Sequence, residues 1–314
     1  MTIRETADYL LAHDDYLILT HRRPDGDTVG SACALCRGLR ALGKRAALYP
    51  NPELADRLAP LAEGLFAGAD PAGKTLVAVD IAGASLFPRG AEALAEATAL
   101  AIDHHGSHGV FAKRSLVLPG AAACGEIILS LLDELEAPLN DAIADAVYVA
   151  VSTDTGCFRY GNTTGDTHRA AARCLEAGAD VFYWNRVLFL EKSLPRLRLE
   201  AYLTKNAELY RDGRTALCIL PQEILKEYGV TESDLEDISG FPRDIAGVEI
   251  GVMLRPDPDG NKVSLRTHEP WNASEICALW GGGGHPAAAG ATLPGTQEEA
   301  RKAILDTLKG LGAI

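Results

Sequence analysis

The chain has no apolar run of the roughly 18 residues that a membrane-spanning helix needs, which excludes an integral membrane protein of that kind. Its N-terminus reads as an amphipathic helix with acidic residues and lacks the basic start and cleavage site of a signal peptide. Seven cysteines are scattered along the sequence, and an odd number would leave at least one unpaired in an oxidising compartment. We therefore expect a cytoplasmic protein that does not act at a membrane.

Positive charge is also scarce, since 30 Lys and Arg face 43 Asp and Glu, for a net charge of −13. Binding of long nucleic acid depends on Lys and Arg that release counterions, so the balance argues against that class of partner. A short anionic substrate fits better, because bound metal ions and a few arginines can reverse the sign locally. Cys33 and Cys36 form a CxxC inside a predicted helix, but no second Cys or His pair accompanies them. They indicate helix packing rather than a zinc site.

The 314 residues suffice for two domains of ordinary size. In residues 1–188, short apolar stretches alternate with helical patterns, which predicts a Rossmann-like, mostly parallel α/β sheet. The segment 142–153 fits a strand or a helix, and its alanines favour a helix. Residues 189–208 are charged and amphipathic and predict a helical linker. Residues 209–314 predict a smaller α/β substrate-binding domain, and we expect the active site in the cleft between the two domains.

Acidic and imidazole side chains follow four apolar stretches of the first domain. In an open parallel sheet, ligands bind outside the carboxyl ends of the strands, so these side chains should meet at one rim. Each has an ordinary alternative: Asp27 is a typical helix cap, and a lone Asp80 is a typical turn residue. Their coincidence on one rim favours a functional site, and the candidate residues are His21, Asp25, Asp27, Asp80, Asp103, His104, His105 and Asp154.

Carboxylates that converge without a cation would repel one another, and some would stay protonated at neutral pH. Carboxylates mixed with imidazoles suit Mn²⁺, with Mg²⁺, Co²⁺ or Zn²⁺ as alternatives. Six candidate ligands are too many for one ion and suit two ions about 3.5–4 Å apart. Such a pair generates a hydroxide and stabilises the attacking and leaving oxygens of phosphoryl transfer.

The motifs closely resemble those of the DHH phosphoesterase family, and the resemblance covers nearly the whole chain. In family order, they are HisxxProAspGlyAsp at 21–27, the isolated Asp80, AspHisHis at 103–105 and ThrAspThrGly at 153–156. The resemblance implies that two ions are divided among the ligands as follows: His21 and Asp25 hold one, Asp27, His104 and Asp154 hold the other, and Asp80 bridges them. It also implies that Asp103 orients a histidine. His105 would face the scissile phosphate, either stabilising its charge or donating a proton to the leaving oxygen.

The second half resembles the DHH-associated substrate domain through GlyGlyGlyGlyHis at 281–285. This resemblance implies that the backbone at Gly282, Gly283 and Gly284, together with His285, holds a substrate phosphate or terminal nucleotide. Arg266 resembles the family arginine that grips phosphate, and arginine suits bidentate phosphate contact. The ordinary alternatives are a helix C-cap with a loop, and an exposed strand arginine.

Residues 153–164 resemble the stand-alone subgroup that degrades very short RNA and dephosphorylates 3′-phosphoadenosine 5′-phosphate. Within this stretch, Arg159 either contacts phosphate or only ties the loop down. Cys157 stands where the subgroup often has serine, so the hydrogen bond of that hydroxyl is in question.

We therefore expect a two-metal phosphoesterase that hydrolyses short oligoribonucleotides (nanoRNA) to mononucleotides, 3′-phosphoadenosine 5′-phosphate to AMP, or both. The alternatives are a linear dinucleotide (pApA) phosphodiesterase, a manganese inorganic pyrophosphatase and a non-catalytic nucleotide sensor. The glycine-rich signature speaks against the pyrophosphatase, because the resemblance implies a different, lysine- and arginine-rich substrate domain for that class. The full ligand set and His105 speak against the sensor. A homodimer is compatible with the sequence.

Overall fold

The computed structural model describes residues 1–235 and 237–314. The chain divides into two compact units, Met1–Glu191 and Lys192–Ile314. Each unit has its own sheet and its own hydrophobic core, so the predicted α/β class is confirmed. Among the described residues, no helix is both long and apolar enough to cross a membrane.

The first unit contains a five-stranded sheet in which every neighbouring pair is parallel, in the order β2-β1-β3-β4-β5. Its strands are β1 (Tyr16–Leu19), β2 (Ala46–Leu48), β3 (Thr75–Val79), β4 (Leu100–Asp103) and β5 (Ser115–Val117). Its helices are α1 (Ile3–Ala12), α2 (Gly26–Ala41), α3 (Leu94–Ala97), α4 (Cys124–Glu134), α5 (Asp141–Asp154), α6 (Gly165–Glu176) and α7 (Val181–Asn185), which continues into a π-helical turn, Arg186–Leu190. Short 3₁₀ turns lie at Ala59–Ala62 and Ala84–Leu86. The ambiguous segment 142–153 lies within α5, which confirms the preference for a helix.

Both faces of this sheet are buried, as expected for a parallel sheet covered on each side. Successive strand residues point to opposite faces, so β1 contributes to two separate cores. Tyr16 and Ile18 pack into the core that contains most of the helices, whereas Leu17 and Leu19 pack into a smaller core with Phe87. The sheet is therefore fixed from both sides, and only its ends are free to carry a site.

Helices α2 and α5 approach each other closely at Gly30. A Cβ atom on Gly30 would lie 2.3 Å from the carbonyl oxygen of Ala146 and 2.8 Å from the backbone nitrogen of Ala150. Because both neighbours are backbone atoms within a helix, they cannot rotate away as a side chain can. The missing side chain therefore sets the distance between the two helices that carry the acidic residues.

We expect Gly30→Ala to destabilise the first unit although alanine is the better helix former. Overpacking costs about 1–3 kcal/mol, which corresponds to a fall in melting temperature on the order of 5 °C for a unit of this size. Thermal unfolding of metal-free protein measures the effect. Gly68→Ala is the matched control, because a Cβ there would meet nothing within 4 Å. Equal melting temperatures for the two variants would contradict the close contact.

The second unit contains a six-stranded sheet in the order β10-β11-β9-β8-β7-β6, and β7 with β8 is its parallel pair. Its strands are β6 (Glu208–Tyr210), β7 (Thr215–Ile219), β8 (Ile250–Asp257), β9 (Gly260–Thr267), β10 (Gly283–His285) and β11 (Ala288–Leu293). Its helices are α8 (Leu194–Asn206), α9 (Gln222–Glu227), α10 (Ala273–Ala278) and α11 (Gln297–Gly310), with 3₁₀ turns at Ser233–Leu235 and Ile238–Asp244.

The stretch 189–208, expected as a linker, contains α8 and packs as part of the second unit. Leu199 and Leu203 of α8 are fully buried in a core with Cys218 and Met253. The division between the units falls at Glu191, before this helix begins. Of the charged residues that suggested a linker, Arg198 and Lys205 are exposed, whereas Arg196 and Glu200 are mostly buried and pair with each other at 2.8 Å.

The CxxC cysteines are buried free thiols inside α2, as the sequence indicated. Burial raises the pKa of Cys33 to about 12 and that of Cys36 to about 11. Both thiols therefore stay protonated at neutral pH, which suits packing and not metal binding or redox exchange.

Candidate metal centre

The candidate residues gather at the carboxyl ends of the central strands of the first sheet. The strand order places β2 on one side of β1 and β3 on the other, and such a change of direction is where open α/β sheets bind ligands. His21 follows β1, Asp80 follows β3, and β4 ends at Asp103. The start of α2 lies against the end of α5, because a Cβ on Gly26 would lie 2.4 Å from the Thr153 side chain. This contact adds Asp25, Asp27 and Asp154 to the same place.

Side-chain donor atoms of the six expected ligands form overlapping groups in which all atoms lie within 4.8 Å of one another. The three groups are His21 with Asp25 and Asp80, Asp27 with His104 and Asp154, and Asp80 with His104 and His105. Asp80 therefore lies close to both His21 and His104. This is the arrangement that a carboxylate shared by two ions requires.

The distances within these groups are too long for good hydrogen bonds and suit atoms arranged around a common ion. His104 Nε2 lies 3.7 Å from an Asp27 oxygen, 3.6 Å from an Asp80 oxygen and 3.7 Å from an Asp154 oxygen. His21 Nε2 lies 3.5 Å from Asp25 Oδ1 and 3.8 Å from Asp80 Oδ2. The donor set is hard oxygen mixed with imidazole nitrogen, which fits Mn²⁺ or a similar divalent ion.

Both of these histidines are held with one particular ring nitrogen facing the carboxylates. Nδ1 of His21 donates to the carbonyl oxygen of Arg22 over 2.8 Å, and Nδ1 of His104 donates to that of Ala121 over 3.2 Å. A carbonyl oxygen can only accept, so Nδ1 carries a proton and Nε2 is the ring nitrogen that faces the acidic cluster. Metal-ligating histidines are commonly oriented in this way.

Asp80 is the least satisfied carboxylate in the cluster. It is buried, and its Oδ1 has no hydrogen-bond partner among the described residues. Its backbone is left-handed, with φ at 59°, a strained conformation that clusters at functional sites. Burial, and then the charges of Asp27 and Asp25, raise the pKa of Asp80 well above its ordinary value. A bound cation would offset the repulsion between these carboxylates and would give Asp80 Oδ1 a partner.

Asp27 is held by groups that the sequence analysis did not identify. Its Oδ1 accepts from Ser31 Oγ at 2.9 Å and from the Gly125 N–H at 3.0 Å, and its Oδ2 accepts from the Cys124 N–H at 2.7 Å. The two N–H groups belong to the first turn of α4, whose dipole favours a negative charge there. Even so, burial and the nearby Asp154 raise the pKa of Asp27. The helix orients the carboxylate and leaves its charge for a cation to balance.

The expected capping role falls on a different aspartate. Asp25, not Asp27, is the N-cap of α2, and its Oδ1 accepts from the N–H groups of Asp27 and Thr28. Thr28 in turn donates its hydroxyl to the carbonyl oxygen of Val79 over 2.8 Å. These bonds join the start of α2 to the end of β3 and hold the loop that carries His21.

Asp103 is fully buried and contacts two histidines. Its Oδ1 accepts from Nδ1 of His105 at 2.8 Å, and its Oδ2 accepts from Nδ1 of His108 at 2.6 Å. The bond to Asp103 raises the pKa of His105, whose side chain is 43% exposed. His108 was missed by the sequence analysis, because a histidine in a polar loop carries no periodicity or motif of its own.

The second unit places Arg266 and His285 on one face of its sheet. His285 of β10 pairs with Ala288 of β11, Ala288 pairs with Arg266 of β9, and Arg266 pairs with Gly251 of β8. Directly paired residues have side chains on the same face of a sheet, so His285 and Arg266 share a face. One strand, β11, lies between them, so their backbones are two strand spacings apart, about 10 Å. Ala288, which lies between them, is small and partly exposed, whereas Gly251 on the other side of Arg266 is buried beneath Pro242 and Arg243.

Arg266 is half-buried without a carboxylate partner among the described residues. Its guanidinium donates to Ser239 Oγ over 2.9 Å and to the carbonyl oxygen of Leu265 over 3.0 Å. Burial, and then the nearby Arg243, lower the pKa of Arg266 below its ordinary value. Arg243 lies close because a Cβ on Gly251 would be only 2.7 Å from its backbone nitrogen. Two guanidinium groups held together in an acidic protein are suited to an anion.

The three glycines at 282–284 do not all serve the same structural purpose. A Cβ on Gly282 would lie 2.2 Å from the carbonyl oxygen of Gly290, and one on Gly284 would lie 2.6 Å from that of Ala288. These two glycines permit the close pairing of β10 with β11. Gly283 meets nothing within 4 Å, so its backbone is accessible from outside.

Arg159 ties its own loop down. Its Nε donates to the carbonyl oxygen of Gly156 over 2.5 Å, while the side chain as a whole is exposed. The loop is tightly wound, because Gly156, Cys157 and Phe158 all have left-handed backbones. The Cys157 thiol donates to Asn185 Oδ1 over 3.9 Å, a long and weak contact. Phosphate contact by Arg159 stays a prediction.

Comparison with known protein families identifies both units. Residues 15–151 match the DHH family, N-terminal domain, and residues 217–311 match the DHHA1 domain. The chain is 34% identical to the bifunctional oligoribonuclease and PAP phosphatase NrnA of Thermus thermophilus, over 93% of this chain and 88% of that protein.

Solved structures share the fold. An exopolyphosphatase-related protein from Bacteroides fragilis superposes with a TM-score of 0.88 at 24% identity, covering 98% of this chain and 95% of that one. The exonuclease RecJ bound to manganese superposes with a TM-score of 0.54 at 16% identity, covering 100% and 94%.

Proposed function

The chain belongs to the DHH family, and from this membership we propose that it hydrolyses short oligoribonucleotides to mononucleotides, 3′-phosphoadenosine 5′-phosphate to AMP, or both. The observation that carries the proposal is the convergence of six metal-type ligands on one sheet edge with Asp80 common to two of the groups. The relative from Thermus thermophilus is named for both activities and matches over nearly its whole length. Because all seven cysteines are free thiols, we also propose a cytoplasmic location.

We propose that the ligands divide between two ions, with Mn²⁺ as the preferred metal. His21 and Asp25 hold one ion, Asp27, His104 and Asp154 hold the other, and Asp80 contacts both. When bound, such a pair activates water and neutralises charge on the phosphoryl oxygens. The carboxylates with raised pKa values support this division, because each is easier to ionise once a cation lies beside it.

The residues of the chain then have separate tasks. Asp103 holds Nδ1 of His105, so that Nε2 of His105 can approach the leaving oxygen and give it a proton. We propose that the phosphate or nucleotide at the other end of the substrate binds in the second unit, to Arg266, the backbone at Gly282–Gly284 and His285. The small, partly exposed Ala288 between Arg266 and His285 supports this role. A short anionic substrate fits the net charge of the chain, which is −13.

Arg266→Gln is expected to weaken substrate binding with little effect on the chemical step. A hydrogen bond to a charged group contributes about 1.5–3 kcal/mol, so KM should rise on the order of 10- to 100-fold. Steady-state kinetics with a short RNA measures the change. Arg198→Gln removes an exposed arginine of α8 and is the control. A fall in kcat at constant KM would contradict a binding role for Arg266.

Product analysis with Mn²⁺ tests the proposed function. A labelled five-nucleotide RNA, 3′-phosphoadenosine 5′-phosphate, the dinucleotide pApA and pyrophosphate are supplied side by side, each with and without a chelator. We expect mononucleotides from the RNA, with or without AMP from the bisphosphate, and no product once the metal is chelated. Phosphate from pyrophosphate alone would mean that the chain is a pyrophosphatase. Binding without turnover of any of the four would indicate a nucleotide sensor.

A further inference from the structure

Both oxygens of the Asp103 carboxylate accept hydrogen bonds. On one side, Oδ1 accepts from the N–H groups of His104 and His105 at 2.8 and 3.1 Å and from Nδ1 of His105 at 2.8 Å. On the other side, Oδ2 lies 2.6 Å from Nδ1 of His108. Because a carboxylate can only accept, the proton of each of these bonds sits on the histidine nitrogen.

His108 is held firmly in place beneath the site. Its side chain is 7% exposed, and its ring packs against Phe111 with ring centres 5.3 Å apart. Its backbone N–H donates to the carbonyl oxygen of His105 over 3.1 Å. The next residue, Gly109, donates to the carbonyl oxygen of Ala82 over 2.7 Å, which anchors this turn to the loop that follows Asp80.

Packing alone does not account for an imidazole at this position. Nε2 of His108 is buried and has no hydrogen-bond partner within the described part of the chain. A buried polar atom left in that state costs about 1–3 kcal/mol, so an apolar side chain of similar size would suit the core better. The feature that an apolar side chain would lack is the short bond from Nδ1 to Asp103.

Resting on the proposed function, we propose that His108 is a positioning residue that acts on catalysis through Asp103 and His105. The last torsion of an aspartate side chain is broad, so donors on both oxygens restrict it more than donors on one oxygen alone. The bond from His108 adds a donor on Oδ2 to the three on Oδ1 and so narrows the rotation of the carboxylate plane. Oδ1 is then aimed at Nδ1 of His105, and the His105 ring presents Nε2 at a constant angle.

Two substitutions separate this role from packing. Asparagine at position 108 places its amide nitrogen where Nδ1 lies and can still donate to Oδ2, whereas leucine fills the space without a donor. Loss of such an outer hydrogen-bond partner commonly costs 10- to 100-fold in activity. We therefore expect His108→Leu to lower kcat on short RNA by about 10- to 100-fold with KM unchanged, and His108→Asn to restore most of it.

A third variant keeps the test decisive if leucine prevents folding. His108→Gln puts its amide near the position of Nε2, out of reach of Oδ2, and should behave as leucine does. In the His105→Asn background, removing the His108 donor should cause no further fall in kcat, because the residue it acts through is already absent. A purely structural role would lower kcat in both backgrounds.

The outcomes distinguish this proposal from the proposed function. Wild-type protein that releases no nucleotide from any of the tested substrates refutes the function itself. Active wild-type protein with an unchanged kcat in His108→Leu overturns the positioning role alone. Equal losses in the asparagine and leucine variants also overturn it, since they would show that the ring matters and the donor does not.

Discussion

Asp80→Asn is expected to remove nearly all turnover while it raises the melting temperature of the metal-free protein. The carboxylate is grouped with His21 and Asp25 and, separately, with His104, a proposed ligand of the other ion, so its loss should disturb both proposed ions at once. Metal ions contribute several kcal/mol of transition-state stabilisation, and losing about 4 kcal/mol lowers the rate roughly a thousandfold. Asparagine is the suitable replacement because it tolerates the left-handed backbone at this position, where φ is 59°.

The gain in stability follows from the direction of the pKa shift. Burial and neighbouring acids raise the pKa of Asp80 in the folded protein, so the folded state holds this proton more tightly than the unfolded chain. The stability of metal-free protein therefore falls as the pH rises above about 4, the ordinary pKa of an aspartate. Asparagine removes this component, and the difference in melting temperature between variant and wild type should grow with pH.

Thermal unfolding in the presence of a chelator, at several pH values, measures this difference. Asp212→Asn is the matched control, because Asp212 is exposed and has the same left-handed backbone, with φ at 54°. The control should leave both activity and melting temperature nearly unchanged. Full activity of Asp80→Asn would contradict the assignment of two ions. A metal-free variant with a lower melting temperature than metal-free wild type would contradict the electrostatic explanation of its stability.

His105→Asn is expected to lower kcat by about 10²- to 10⁴-fold, the usual contribution of a positioned proton donor. The loss should depend on the leaving group. RNA releases a basic alkoxide that needs a proton, whereas a p-nitrophenyl ester of a nucleotide releases a stable phenolate. We expect the fall in kcat to be large for RNA and much smaller for the ester.

Comparison of the two substrates also distinguishes the two roles left open for His105. Equal losses on both would indicate that His105 stabilises charge on the phosphate and does not protonate the leaving oxygen. His13→Asn, at the exposed C-cap of α1, is the control for the substitution itself. Mn²⁺ binding should be retained in His105→Asn, because its proposed role is toward the substrate.

The sequence predicts much of the first unit and its cluster because every candidate except Asp154, which ends α5, follows a short apolar strand. His21, Asp80 and Asp103 mark the ends of β1, β3 and β4 directly, and parallel strands bring their carboxyl ends to one edge. The order of the strands could not be read in the same way. It depends on which helices cover which face, and that is decided by tertiary packing.

The supporting contacts are the part that local sequence does not contain. Ser31 and the N–H groups of Cys124 and Gly125 contact Asp27 only because α2 and α4 meet in space. The start of an apolar helix near residue 124 is visible in the sequence, but its target is not. His108 is found in the same way, through a bond to a residue that motif analysis had identified.

The second unit illustrates a different limit. The polar side of α8 dominates its composition, so the helix looks like a linker although Leu199 and Leu203 are buried. The glycine run likewise looks uniform, yet Gly282 and Gly284 serve strand pairing, whereas a Cβ on Gly281 or Gly283 would meet nothing within 4 Å. Composition describes the average of a segment, whereas packing acts on single positions.

The central claim, that six side chains hold two ions, is tested most directly by counting bound metal. Metal-free protein is dialysed to equilibrium against increasing Mn²⁺, and bound manganese per chain is measured together with turnover of a short RNA. We predict that binding saturates at two ions per chain and that activity follows the second ion. Full turnover with one ion per chain at saturation would contradict the account.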